Sequence, residues 1–343
     1  MVAFCQSIQR PPPFIHPPND PGFVNLIVRS RDRGRTWDAP RVAPDYGWRG
    51  VETPGIAQLS TGEVLLNQWR FAWYPLEMGR KLWDEGVCAC FVVDPETLHW
   101  RPVRDKTDWV RHPLPYVRAD GGAYVHSSYD NGYTWAYTAA IPIAPYQAAF
   151  SPKGAIELRN GDVLLALGSH EHDPLAASVV VRSTDRGHSW QPPVEAARVP
   201  GRILSEPSLV ETTRGTLLLL SREEVTGYIY QSESNDGGYT WQPARALACW
   251  GYPTHAICLA DGRLLMVFGR RRPPYGIRGA LSEDAGKSWG PEFVICPIDH
   301  ESNQGLNLGY PSVIEYAPGK LFTAFYAEDA DGTPSIQGLE FSV

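Results

Sequence analysis

Short apolar runs come in pairs along this chain, each pair split by a glycine turn and opened by a proline. The pattern reads P-G-I-A-Q-L-S-T-G-E-V-L-L from Pro54, P-K-G-A-I-E-L-R-N-G-D-V-L-L-A-L from Pro152 and P-S-L-V-E-T-T-R-G-T-L-L-L-L from Pro207. It returns as P-T-H-A-I-C-L-A-D-G-R-L-L-M-V-F from Pro253 and P-S-V-I-E-Y-A-P-G-K-L-F-T-A-F from Pro311. Runs this short, bounded by Gly and Pro, predict a strand, a tight turn and a second strand. A second pattern, Ser-x-Asp-x-Gly-x-Thr/Ser-Trp, occurs at Ser30–Trp37, Ser128–Trp135, Ser183–Trp190, Ser234–Trp241 and Ser282–Trp289. Its chemistry suits a turn that fastens itself to its own sheet. Gly supplies a positive φ, the Asp carboxylate accepts backbone N–H groups, and Trp buries its ring against the strands.

From Asp130 onward the copies recur about every 50 residues, the period of a propeller blade. Pairing openings with boxes predicts blades near 54–140, 152–198, 206–247 and 253–296, then a last unit, 311–343, whose box is eroded around Asp331. The Asp32 box belongs to an incomplete first blade, with Val2–Gln6 as second strand and Phe23–Arg29 as third. The expectation is therefore an all-β, six-bladed β-propeller with Asp-box repeats, one domain over 1–343, with an insertion near 80–121. Reading Asp94–Trp100 as a degenerate box gives seven units instead.

Composition agrees with many short strands, since 12 Trp, 16 Tyr, 32 Gly and 31 Pro accompany almost no helical periodicity. The net charge of −7 is spread without basic or acidic runs, so nucleic acid and membrane are not expected partners. Cys5, Cys88, Cys90, Cys249, Cys258 and Cys296 show no metal-ligand spacing and read as reduced thiols. The start M-V-A-F-C-Q lacks the charged end and apolar core of a signal peptide, which predicts a cytoplasmic protein.

Strand parity sorts the remaining residues. If the first strand of each blade starts at the top, the second ends there, and the boxes lie at the bottom as scaffold. The top then gathers Arg49, Glu52, Lys153, Glu206, Tyr252, His255 and Tyr310 before or at the openings. Asp20, Trp69, Arg70, His170 to His172, Arg222, Glu223, Arg270 to Arg272 and Tyr326 join them from the loops after the second strands.

The repeated boxes, together with S-E-P-S-L-V-E-T-T-R-G-T-L-L-L-L-S-R over Ser205–Arg222, L-M-V-F-G-R over Leu265–Arg270 and L-G-Y-P-S over Leu308–Ser312, resemble the sialidase family. The resemblance implies a retaining glycoside hydrolase acting on an acidic sugar, needing no cofactor or metal. By the same resemblance Tyr310 would be the nucleophile, Glu206 its base partner and Asp20 the acid/base. Arg222 with Arg270 or Arg271 would bind the sugar carboxylate, with Arg70 or Arg49 in place of a third Arg, because the family's Phe-Arg-Ile-Pro segment is absent. Glu52 and His255 complete the expected substrate contacts. The chemistry is coherent: guanidinium groups hold a carboxylate in two-point fashion, and a neutral Tyr avoids the repulsion a carboxylate nucleophile would meet beside it.

Plainer readings stand beside these. Glu206 and Arg222 could form a structural ion pair, Tyr310 could be a core aromatic, and Asp20 in P-P-N-D-P-G could serve a turn. His170 and His172 make a weak metal pair without a third ligand. A non-catalytic glycan- or protein-binding propeller, or a lyase using His170, His255 or Tyr310 as base, are the other functional readings.

Overall fold

The computed structural model describes residues 1–6, 21–44, 51–97, 100–146, 148–169, 176–298, 307–329 and 333–343. The expected strand–turn–strand openings form as antiparallel hairpins: Leu204–Glu211 with Leu217–Glu223, Thr254–Cys258 with Leu264–Arg270, and Leu308–Ala317 with Lys320–Glu328. Among the described residues the strands make six antiparallel sheets, taken in chain order. This is an all-β propeller. The first sheet holds Val2–Gln6, Val24–Val28 and Arg41–Val42, so the two strands expected there are found.

Each box folds as its composition dictates. In the third sheet, Asp185 accepts from Ser189 N at 2.8 Å and Ser189 Oγ at 2.5 Å, while Ser183 Oγ donates to Asp185 and accepts from Gly187 N, both at 2.7 Å. Trp190 Nε1 closes the turn on the Gly187 carbonyl at 3.1 Å. Positive φ is needed at two successive residues here, Arg186 at 60° and Gly187 at 90°, one more than the motif suggests.

The box glycines also show how the sheets meet. A Cβ on Gly187 would touch Leu65 of the preceding sheet, one on Gly286 would strike Leu218 of its preceding sheet, and one on Gly34 would stand 2.6 Å from Phe322 of the last. The last sheet thus meets the first through a box glycine, as the second meets the third and the fourth the fifth. Apolar faces pack in the same order. Leu65 and Val125 join Leu165, Val179 and Trp190 between the second and third sheets; Leu164 and Val180 join Leu209 and Leu219 between the third and fourth.

The region near 80–121 shows no further box among its described residues. A helix, Leu76–Asp84, and a hairpin, Cys90–Val93 with Trp100–Pro102, attach to the extended strand Tyr116–Ser128 of the second sheet, which reaches six strands. Asp94 accepts from the backbone of Glu96 and Thr97 in an ordinary turn. All six cysteines are free thiols. Among the described residues no helix is long and apolar enough to cross a membrane, and no three His, Cys, Asp or Glu residues cluster as metal ligands.

Candidate functional site

The residues preceding the opening prolines are Thr53, Ser151, Glu206, Tyr252 and Tyr310, one in or at the entrance of each of five sheets. Three of them, Thr53 (φ 49°), Glu206 (φ 47°) and Tyr310 (φ 53°), have left-handed backbone, each at a register shift in its hairpin. A side-chain-bearing residue before proline disfavours that region, and such conformations persist only where the surroundings impose them. The kinks at Glu206 and Tyr310 bring the side chains of these two residues to one place.

There they meet. The Tyr310 hydroxyl donates to Glu206 Oε1. Arg222, at the end of the second strand of the fourth sheet, spans two carboxylates: NH1 lies 2.9 Å from Glu206 Oε2 and NH2 2.8 Å from Glu224 Oε2. Ser205 donates its hydroxyl to the other oxygen of Glu224. The Arg222 guanidinium also lies 4.0 Å above the Tyr252 ring. Arg271 enters from the fifth sheet, with Nε on the Leu308 carbonyl at 2.6 Å and NH2 on the Tyr326 hydroxyl at 2.8 Å, its charge 5.8 Å from the centre of the Tyr310 ring.

Burial sets the protonation states. It raises the Tyr310 hydroxyl well above its usual value, and the nearby Glu206 charge adds to the effect, so Tyr310 is a neutral phenol held against an acceptor. Burial works against the Arg222 charge, yet Glu206 and Glu224 outweigh it and keep the guanidinium more firmly protonated than usual. Glu52, 8% exposed, is pushed up to about 8 by burial, opposed by Arg118 and reinforced by Glu206; its Oε2 has no hydrogen-bond partner.

Of the residues expected from the sequence, Tyr310, Glu206, Arg222 and Arg271 are brought together, with Glu52 coupled electrostatically to Glu206. Arg270 is not among them. It ends its strand opposite Gly276 and pairs with Glu292 at 2.9 Å, whereas Arg271, beyond the last paired residue, turns inward. Arg70 is buried with its guanidinium 4.5 Å over the Tyr124 ring of its own sheet. His255 accepts from Val313 N through Nδ1 at 3.1 Å; burial, then the Lys153 charge, lowers it to about 3, so it stays neutral. Asp20, Arg49, His170, His172 and Asp331 lie outside the described residues.

Glu224, Tyr252 and Tyr326 complete the group beyond the residues singled out for catalysis or binding. The alternation Arg222, Glu224 along one strand end was the available signal for the first, and the shared place before proline for the second. A separate cleft of about 350 Å³, lined by Gln58, Glu63, Tyr129, Asn131 and Arg186 among others, opens at the box end, remote from these residues.

The sequence profile of the BNR repeat-like domain family matches residues 117–323, more than half of the chain. The chain belongs to this family. No curated protein sequence matches it. Among solved structures, a protein of unknown function from Dyadobacter fermentans is similar, with 21% identity and a TM-score of 0.73 over 94% of this chain and 85% of that one. The intramolecular trans-sialidase from Ruminococcus gnavus, solved with oseltamivir carboxylate, shares 15% identity at a TM-score of 0.64, over 94% of this chain and 88% of that one. A variant of the NanB sialidase from Streptococcus pneumoniae shares 15% identity at a TM-score of 0.63, but the match spans only 63% of its length against 93% of this chain. At these identities the likeness is one of fold.

Proposed function

We propose that this protein is a retaining, sialidase-like exo-glycosidase on a six-bladed ring, acting on a small sugar or glycan that bears a carboxylate. The observation that carries the reading is the hydrogen bond from Tyr310 to Glu206, with Arg222 on the far side of the carboxylate and Arg271 beside the phenol. A phenol held neutral by burial needs its proton removed as it attacks, and Glu206, which accepts its hydrogen bond, would take it.

In the proposed reaction Tyr310 Oη bonds to the anomeric carbon as its proton passes to Glu206, and the glycosidic C–O bond breaks. Asp20, which lies outside the described residues, would protonate the leaving oxygen. Water then attacks the anomeric carbon and gives a proton to the Asp20 carboxylate, the Tyr310 bond breaks, and the phenol regains its proton from Glu206. Arg271 and Arg222 would share the sugar carboxylate, with Arg222 passing part of its charge from Glu206 and Glu224 to the substrate. Glu52, uncharged up to about pH 8, would donate a hydrogen bond to a substrate hydroxyl.

The names of the Ruminococcus and Streptococcus neighbours agree with this choice of substrate class. The clustering of Arg, Glu and Tyr favours it over a glycan-binding propeller, whose top would present apolar residues. A panel of fluorogenic sialic acid and uronic acid glycosides tests it. Release from at least one, lost in Tyr310→Phe, is expected; no release from any acidic glycoside, with release from neutral ones, would overturn it.

A further inference from the structure

Aligned on their prolines, the openings carry Gly55, Lys153, Ser208, Thr254 and Ser312 at the next position. Four are small, and Ser208 and Thr254 are almost wholly buried. Inner strands crowd here: a Cβ on Gly55 would stand 2.2 Å from the Lys153 carbonyl. Into the room left by the small residues the third sheet sends one long side chain. Lys153 is 3% exposed, and its Nζ reaches across to the sixth sheet, donating to the Pro311 carbonyl at 2.7 Å and lying 3.5 Å from Ser312 Oγ. Its own backbone is fixed by Ser151, whose Oγ accepts from Lys153 N at 3.2 Å and donates to Lys153 O at 3.1 Å.

We infer that Lys153 is a positioning residue for the Tyr310–Glu206 pair, tethering the segment that bears Tyr310 and serving as the buried counter-charge of Glu206. The first role follows from where it binds: Pro311 is covalently next to Tyr310, whose left-handed backbone must be held against its own preference. The second follows from the same geometry and from what surrounds it, since the ammonium sits on the residue next to Tyr310, whose hydroxyl is bonded to Glu206. Glu206 from the fourth sheet favours the ammonium, His255 from the fifth is neutral, and Tyr310 from the sixth is a neutral phenol. Glu52 from the second sheet acts on the same carboxylate and Arg222 is already divided between two. Burial lowers Lys153 to about 7, with Glu206 opposing, so its charge is present at mildly acidic pH and fades above neutrality.

The effect on turnover rests on the proposed glycosidase activity; the Lys153–Glu206 coupling does not, and the two are read separately. Unfolding of the wild type, Lys153→Met, Glu206→Gln and the double variant, followed from about pH 5 to 9, forms a cycle independent of activity. Strong non-additivity that weakens above pH 7 is expected; additive effects throughout overturn the inference. On an acidic glycoside, Lys153→Met should lower kcat about 10-fold with KM within about 2-fold, and move the acid limb of kcat/KM up by about one pH unit. Lys153→Gln, which keeps a donor for the Pro311 carbonyl but no charge, should recover part of kcat and keep the shifted limb; it also carries the test if Lys153→Met does not fold. An unshifted limb in the folded variants overturns the counter-charge. If the wild type turns over no glycoside, the proposed function fails and the unfolding cycle alone decides the role of Lys153.

Discussion

The Tyr310 hydroxyl donates its proton to Glu206 Oε1 across 104 residues of chain, linking the sixth sheet to the fourth over the mouth of the ring. Both residues have left-handed backbone before a proline, so a local strain repeated in two sheets builds one hydrogen bond. The bond leaves the phenol uncharged and its proton acceptor already in place.

Tyr310→Phe removes that donor and nothing else of comparable size. Turnover of the responsive glycoside should fall by about 10³-fold or more, while thermal unfolding moves by no more than about 3 kcal/mol, the upper value of one hydrogen bond to a charged group. Parallel kinetics and melting curves check both.

The two adjacent arginines should behave differently. Arg271 touches Tyr326 and the Tyr310 segment, and Arg270 is held by Glu292. Arg271→Ala is expected to raise KM for an acidic glycoside by about 10- to 100-fold, and Arg270→Ala to leave it within about 3-fold. Equal effects would remove Arg271 from the carboxylate-binding group.

Glu52 provides a pH signature. Its folded value near 8 lies above its ordinary 4.5, so its contribution to stability is fully present below about 4.5 and is lost as pH rises through about 8. Glu52→Gln, neutral at every pH, should therefore melt increasingly above the wild type as pH rises from 5 to 9. Melting temperatures of the two proteins across that range give the answer; a constant difference contradicts it.

The boxes respond in the opposite direction. Asp185 is held at about 2, below its ordinary 3.8, because the Ser189 hydroxyl and amide and the Ser183 hydroxyl outweigh burial; in Asp32 the Thr36 hydroxyl leads. Their contribution is present above about 3.8 and lost as pH falls through about 2. Asp185→Asn should destabilise the protein at pH 7 and much less near pH 2, with kcat unchanged at neutral pH, as measured by melting and turnover of the same preparation.

What was legible in the sequence follows from what repeats. The boxes and openings carry the ring because every blade needs the same turn and the same apolar pair, and Glu206, Arg222 and Tyr310 were found because they border those repeated units. Parity failed where strands end. Glu223 turns back to accept from Val225 N and Thr226 N, closing its own turn, and Glu224 takes the position beside Arg222. Three consecutive arginines carry no period, so which one turns inward depends on where pairing with Gly276 stops. Lys153 read as one top residue among several, because its reach to Pro311 depends on small side chains in four other sheets.

A covalent trap identifies the nucleophile itself. An activated fluoro-sugar bearing a carboxylate, chosen so that hydrolysis of the glycosyl-enzyme is slow, should add one sugar per chain, and peptide mass spectrometry should find it on Tyr310. A sugar on a carboxylate residue, or turnover of the same compound with no adduct on Tyr310, would contradict the account.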